Sequence, residues 1–469
     1  MSPHIRLTRR QTLASLAAAP FALAATSAWP TAATRPNILF IMADDLGFAD
    51  LSCYSREDYK TPNIDLLARE GIRFTQAYAN SAVCTATRVA LITGRYQYRL
   101  PVGLEEPLVQ TPRNIGLPPA HPTLPSLLRK AGYGTTLLGK WHMGWLPDYS
   151  PLKSGYDHFF GYRGGAIDYF THKAGNAQSP NDDLWDGDVK VHEHGYLTDL
   201  LATHAIASID AYAKAQKPFL ISLHFNAPHW PWEGPTDEAE SKRVSNLGDF
   251  DGGDLATYGR MVTAMDAAVG RVLEALDHNG IANNTIVVFT SDNGGERFSK
   301  VWPFTGTKME LLEGGLRIPA IARWPGHIGA GTTTDQVAIS MDWVPTLLEA
   351  ANAAPDPAYP LDGISLTPYL FGTSLPIPRK LYWRYHANGQ RAMRDADLKW
   401  LQIRQNDFLF NVVADPLERA NLKARQPADY TRMLADYKAW EATMLPIDPK
   451  AFTESISGKN RADHYGVDN

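Results

Sequence analysis

Sulfur is scarce in this chain. Only two cysteines, Cys53 and Cys84, occur among 469 residues. That leaves room for one disulfide at most, a Cys53–Cys84 bridge, in an oxidising compartment. Basic blocks are also missing. Lys and Arg total 45 against 50 Asp and Glu, for a net charge of -5. With no basic stripe, nothing points to nucleic-acid binding. There is no low-complexity tract and no internal repeat. A 44% hydrophobic, 20% charged chain of this length suits a large globular protein with one big domain and a smaller one.

Long apolar runs are lacking as well. The nearest is N-terminal, in "MSPHIRLTRRQTLASLAAAPFALAATSAWPTAA". It is too short and too weakly apolar for a spanning helix. Its basic start, its small residues near the end, and Arg9 and Arg10 resemble a twin-arginine export signal. Residues 1–33 are therefore expected to address the chain to the export machinery, with cleavage near Ala28 or Ala33. The destination is periplasmic or secreted. A start-site artefact or a membrane anchor is the other reading. No cysteine follows the apolar run, which argues against a lipoprotein.

What is present is a repeated theme of apolar strand, then polar loop. "NILFIMADDLG" carries Asp44 and Asp45 just past its apolar run, and "NTIVVFTSDNGG" carries Asp292 and Asn293 in the same place. "GYGTTLLGKWHMG" leads to Lys140 and His142, and "KPFLISLHFNAPHWP" to His229. Helical patterns lie between, in "TPNIDLLAREG" and "YGRMVTAMDAAVGRVLEALDHNG". This alternation predicts an α/β fold with a mostly parallel sheet, whose ligands bind outside the carboxyl ends of the strands. The catalytic domain is expected over 34–355. Residues 356–469 are expected as a smaller α+β domain of short antiparallel strands with a closing helix at "DYTRMLADYKAWEATML".

Two constellations carry the chemistry. Asp44, Asp45, Asp292 and Asn293 offer four oxygen-bearing side chains with three negative charges. A hard divalent cation, Ca²⁺ above all, relieves that repulsion, although solvated turns use the same residues. The second set is cationic: Arg88, Lys140 with His142, His229, and Lys308 in "TGTKMELLEGG". With the ion, the site sums to +2, so it should hold an anionic oxyacid group. Cys84 stands at the start of what reads as a short amphipathic helix, where backbone N–H groups favour an anion.

These residues resemble a known family. "CTATRVALITGRY" is similar to the sulfatase motif, and "ADDLG", "GYGTTLLGKWHMG", "APHWP", "SDNGG" and "EGGLRIPAIARWPG" resemble the other sulfatase blocks, in the family's order. Ala86 stands where proline is commoner, and Thr87 where serine is usual. The resemblance implies an alkaline-phosphatase-type α/β sandwich. It also implies oxidation of Cys84 to Cα-formylglycine by a formylglycine-generating enzyme. Carried over by position, it makes Asp44, Asp45, Asp292, Asn293 and residue 84 ligands of Ca²⁺, and places Arg88, Lys140, His142, His229 and Lys308 around the sulfate. In the implied mechanism the hydrated aldehyde attacks sulfur, Lys308 or His229 protonates the leaving alcohol, and His142 helps release sulfate.

"GYDHFFGYRGGAIDYFTHK" and "WPFTGTKMELLEGGLR" look most like the arylsulfatase B-type branch. That implies a sulfated carbohydrate such as N-acetylgalactosamine 4-sulfate, with aryl sulfates as surrogates. "NAQSPNDDLWDGD" reads either as a sugar-contacting segment or as a variable surface loop. Two other functions stay open on sequence. One is a phosphodiesterase or phosphonate monoester hydrolase of the same superfamily, separable by assays on sulfate and phosphate esters. The other is an inactive sulfated-glycan binding protein, expected if Cys84 stays a thiol.

Overall fold

Five strands, four of them ending in loops that carry candidate site residues, form the parallel centre of a ten-stranded sheet. They are, in spatial order, Thr285–Ser291, Asn37–Ala43, Phe219–His224, Gly134–Lys140 and His158–Tyr162. These features come from a computed structural model, which describes residues 35–110, 113–244 and 253–456. The expected export signal lies outside the described residues. Antiparallel partners extend both edges: Ala320–Arg323 joins at one side, and the short strands Trp185–Asp186 and Val189–Lys190 at the other. The expected α/β class and mostly parallel sheet are both present.

Burial explains why the central strands read as unbroken apolar runs. In Asn37–Ala43 all seven residues are buried, because helices cover both faces. Leu39, Ile41 and Ala43 share a core with the helices Leu197–Lys214 and Leu255–His278. Phe40, on the opposite face, meets Trp343 edge-on at 6.2 Å. Register then aligns the strand ends: Ala43 pairs with Ser291, and Met42 with His224. The loops carrying Asp44, Asp292 and His229 therefore leave the sheet side by side. Among the described residues no helix is long and apolar enough to cross a membrane.

The expected antiparallel strands near the C-terminus are found as a four-stranded meander, Lys380–Tyr385, Gln390–Asp395, Leu398–Ile403 and Asn406–Asn411. The expected closing helix is Pro427–Glu441, which packs Met433 and Tyr437 against Trp400. Other residues of this sheet, among them Leu381, Trp383 and Leu401, pack on Ala82, Val83, Ala86 and Ala90. All described residues fall within one compact unit.

That packing corrects one expectation. The helix at Cys84 runs Cys84–Thr93, and all ten of its residues are buried. It is not amphipathic, because the main domain and the C-terminal sheet enclose it from different sides. A second correction concerns sulfur: Cys53 and Cys84 are both free, so the bridge does not exist here.

Candidate active site

The helix Cys84–Thr93 points its N-terminus at the strand-end loops. Cys84, 1% exposed, donates its thiol hydrogen to His142 Nδ1 across 3.2 Å. The tautomer follows from the other side of the ring. His142 Nε2 lies 2.8 Å from the Leu108 carbonyl, which can only accept, so Nε2 carries the hydrogen and Nδ1 faces residue 84 as an acceptor. Leu108 is itself fixed, since its N–H donates to Thr85 Oγ1 at 3.0 Å. Cys84, Thr85, Leu108 and His142 thus close a ring.

Charge around this ring is dense and buried. Lys140 Nζ donates to Asp44 Oδ2 at 2.7 Å, and Lys308 Nζ to Asp45 Oδ2 at 2.8 Å. Arg88 donates to Asp292 Oδ2 from Nε (3.1 Å) and Nη2 (2.8 Å). The Asp45 N–H donates to Asp292 Oδ1, and Asn293 Nδ2 to Asp45 Oδ1. His229 donates from Nδ1 to the Trp230 carbonyl, leaving Nε2 3.6 Å from Asp45 Oδ2. The structure thus gathers all the predicted site residues into one cluster.

The electrostatics follow from burial and crowding. Burial and neighbouring Asp292 push Asp44 well above the ordinary carboxylate range, against the pull of Lys140 and Arg88. Burial also pushes the Cys84 thiol up, although Lys140 and Lys308 oppose it, so the thiol is not a thiolate nucleophile. Burial and the nearby lysine ammonium groups hold His142 and His229 well below the usual imidazole range, as neutral rings. Lys308 is held well above its ordinary value by Asp45 despite its burial.

A divalent cation fits these residues. Asp44 Oδ1 and Asn293 Oδ1 are buried and lack hydrogen-bond partners. His229 Nε2 and Asp45 Oδ2 are two acceptors facing each other. Ligand atoms of Asp44, Asp45 and His229 lie within 4.8 Å of one another. The donors are mainly carboxylate and amide oxygens, the set a hard ion takes. Backbone strain also concentrates here: Asp45 (φ 63°), His142 (φ 54°) and Met309 (φ 74°), next to Lys308, all sit in the left-handed region.

A cleft of about 560 Å³ opens onto Cys84, His142, His229 and Lys308. A sulfatase family model matches residues 36–353, most of the described chain. The chain belongs to the sulfatase family. It is 33% identical to N-acetylgalactosamine-6-sulfatase of Rattus norvegicus over 377 residues, covering 75% of this chain and 68% of the relative. It is also 33% identical to arylsulfatase A of Homo sapiens, covering 86% of this chain and 82% of that one. Among solved structures, Ps i-CgsB in complex with k-i-k-neocarrahexaose matches with TM-score 0.80 and 32% identity, covering 92% of this chain and 98% of that one. A phosphonate monoester hydrolase of Agrobacterium radiobacter shares the fold at TM-score 0.61 and 22% identity. The fold is thus alkaline-phosphatase-like, and the chain is a sulfuric ester hydrolase.

The sulfatase motif's two departures are both accommodated. Ala86 packs in the buried seam with the C-terminal sheet. The Thr87 hydroxyl accepts from the Ser81 N–H at 2.9 Å and donates to its carbonyl at 3.1 Å, a role that needs only a hydroxyl. Of the segment with two sequence readings, Asn181, Asp182, Asp183 and Trp185 line the cleft. Sequence reasoning missed Leu108, Trp145, Phe452 and Glu454. Leu108 acts through its carbonyl, which leaves no trace in residue type. Phe452 and Glu454 reach the cleft from a C-terminal stretch with no motif.

Proposed function

We propose that this sulfatase hydrolyses a sulfate ester of a glycan, using formylglycine at position 84 and a bound Ca²⁺. The observation that carries the reading is residue 84 on the cleft wall, 3.2 Å from a bare imidazole nitrogen and among Arg88, Lys140 and Lys308. Asp44, Asp45, Asp292 and Asn293 would hold the ion, with residue 84 contributing an oxygen once oxidised. The aldehyde hydrate supplies an oxygen nucleophile, and the cation supplies positive charge beside the sulfate.

The chain's own side chains do the rest. His142 Nδ1 takes a proton from the oxygen at position 84, its Nε2 being pinned by Leu108. Lys140 and Lys308 balance charge on the sulfate oxygens. Arg88, held by Asp292, fixes that carboxylate. Lys308 Nζ, kept protonated by Asp45, lines the cleft and is positioned to protonate the departing alcohol, whereas His229, neutral with its hydrogen on Nδ1, offers only an acceptor at Nε2. Trp145, Trp185 and Trp230 line the cleft and offer apolar faces for sugar rings. The name of the Rattus norvegicus relative supports the 6-sulfate of N-acetylgalactosamine, and the arylsulfatase B-type resemblance the 4-sulfate, so the two are tried in parallel. We read residues 1–33 as the export signal, 34–355 as the catalytic domain and 356–469 as the smaller one, with periplasmic or secreted location.

The test is a mass spectrum of the tryptic peptide containing residue 84, beside sulfate release from both sugars and from a phosphate ester. An aldehyde peptide with sulfate release is expected. A thiol-only peptide in a preparation that turns over would overturn the mechanism. Faster release from the phosphate ester would favour the phosphoryl-transfer reading.

A further inference from the structure

The cleft has an acid that the proposed reaction does not use. Glu454 lines it together with Lys308, His229 and Cys84; burial raises its carboxyl above the ordinary range, against the pull of Lys308. Its carboxylate has no hydrogen-bond or ion-pair partner among the described residues. A negative group beside an anion-binding site repels the substrate, so its placement is unfavourable unless it accepts hydrogen bonds from that substrate.

Its position is built, not incidental. Glu454 belongs to a C-terminal strap held by main-chain bonds. Its N–H donates to the Glu106 carbonyl at 2.7 Å, the Glu106 N–H donates to the Phe452 carbonyl at 2.8 Å, and the Tyr385 hydroxyl donates to the Glu454 carbonyl at 2.8 Å. Thr453 adds a side-chain bond to Glu106 Oε2. Two residues away, Phe452 is 39% exposed and lines the same cleft. Two positions apart on an extended, pinned strap, an exposed ring and a carboxylate fall on the same face and present an apolar surface and an acceptor to the same space.

Resting on the glycan-sulfatase reading above, we infer that Glu454 is a specificity-determining residue. It accepts hydrogen bonds from hydroxyl groups of the sugar that carries the scissile sulfate, and Phe452 packs against that sugar. The corollary concerns substrate class. The favoured substrate has free hydroxyls beside the ester, and a second sulfate there meets Glu454 as a like charge.

The experiment measures kcat/KM of wild type, Glu454→Ala and Glu454→Gln. The substrates are monosulfated N-acetylgalactosamine, its 4,6-disulfate and nitrophenyl sulfate, and thermal midpoints are taken alongside. Because the strap is held by main-chain bonds, both variants should keep the wild-type midpoint. For Glu454→Ala the monosulfated sugar should lose about 10- to 100-fold, while nitrophenyl sulfate, which has no sugar hydroxyls, changes by about twofold or less. Glu454→Gln should recover part of the loss and narrow the gap between disulfated and monosulfated sugar. A ratio of sugar loss to nitrophenyl loss of about three or more in Glu454→Ala supports the assignment, and any smaller ratio overturns it. Wild type that turns over nitrophenyl sulfate but no sugar would overturn the glycan reading instead, which keeps the two failures apart.

Discussion

Two of the buried charge clusters among the described residues differ in what they leave unspent. In the seam between the main domain and the C-terminal sheet, Glu313 meets Arg317 at 2.6 Å and Lys399 at 2.9 Å, and Lys399 meets Glu418 at 2.9 Å. Tyr78 donates to Glu313 at 2.6 Å, and the Glu313 N–H donates to Glu418 at 2.6 Å. None of these residues lines the cleft. The strand-end cluster around Asp44 has similar burial and a similar mix of signs. Glu418 Oε1 of the seam lacks an aligned hydrogen bond but sits 2.9 Å from Lys399 Nζ, whereas the strand-end cluster leaves Asp44 Oδ1 and Asn293 Oδ1 without hydrogen bonds, bare imidazole nitrogens, and an opening to a cleft. Burial of charge does not by itself mark a site. Unused hydrogen-bonding capacity next to an opening does.

Substitutions can break this contrast from either side, and the largest effect is expected at Cys84. Cys84→Ala should cost about 10³-fold or more in kcat, with little change in thermal midpoint, because a small residue still fits the helix start. Near-wild-type turnover in pure Cys84→Ala protein would remove residue 84 from the reaction. Next comes Lys308→Ala, read as kcat/KM on two substrates. General-acid help is worth about 10²–10⁴-fold for a sugar alkoxide and little for nitrophenolate. Equal losses on both would assign Lys308 to charge balance alone.

The seam should respond in stability instead. Lys399→Met leaves Glu313 and Glu418 without their shared cation, at a cost of about 3–5 kcal/mol in unfolding free energy. The kcat of the folded fraction at low temperature should be unchanged. A fall in kcat without a fall in midpoint would show that the seam reaches the chemistry. Chelation tests the other cluster. Removing Ca²⁺ should abolish activity and lower the midpoint by several degrees, and Ca²⁺ should restore both. Stoichiometric zinc or iron in the active protein would contradict the assigned ion.

The smallest effect is a pH dependence in the seam. Burial pushes Glu418 up to about 7, above the ordinary 4.5. Between those values the folded state binds more protons than the unfolded one, so stability falls as pH rises through the window. Glu313 runs the opposite way. Lys399 and Arg317 outweigh its burial and hold it below the ordinary range, so its contribution is lost only in acid. Glu418→Gln should therefore flatten the wild-type decline between pH 5 and 7, an effect on the order of 2 kcal/mol or less. Midpoints in that range decide it, and an unchanged slope would show that Glu418 is not the source.

The site loops were legible in the sequence because each follows an apolar run. Asp44 and Asp45 after Ile38–Met42, and Asp292 and Asn293 after Ile286–Phe289, mark strand ends before any pairing is known. Parallel register then does the remaining work, and register needs only that strands be buried on both faces. What stayed illegible depends on contacts between distant segments. The helix at Cys84 read as amphipathic because its threonines and Arg88 look like a solvent face, yet Thr85, Thr87 and Arg88 all bond inward. The Glu313–Lys399–Glu418 seam joins a sulfatase block to two C-terminal segments whose local sequence looks like ordinary surface charge. Glu454 lies 370 positions from Cys84, and a main-chain bond to Glu106 brings it back.

On the proposed oxidation of Cys84, the enclosure of the helix Cys84–Thr93 would also set an order of events in the making of the active protein. An enzyme that oxidises the Cys84 thiol must grip the peptide around it, and such recognition needs an accessible length of backbone. Once the C-terminal sheet has docked over Ala86 and Ala90, no such length is on offer. Under that proposal oxidation and folding would run against one clock, and chains that close first would stay thiols. The active fraction would then be a kinetic quantity, set by how long the helix waits for its cover. Substitutions at the seam that delay docking should lengthen that wait.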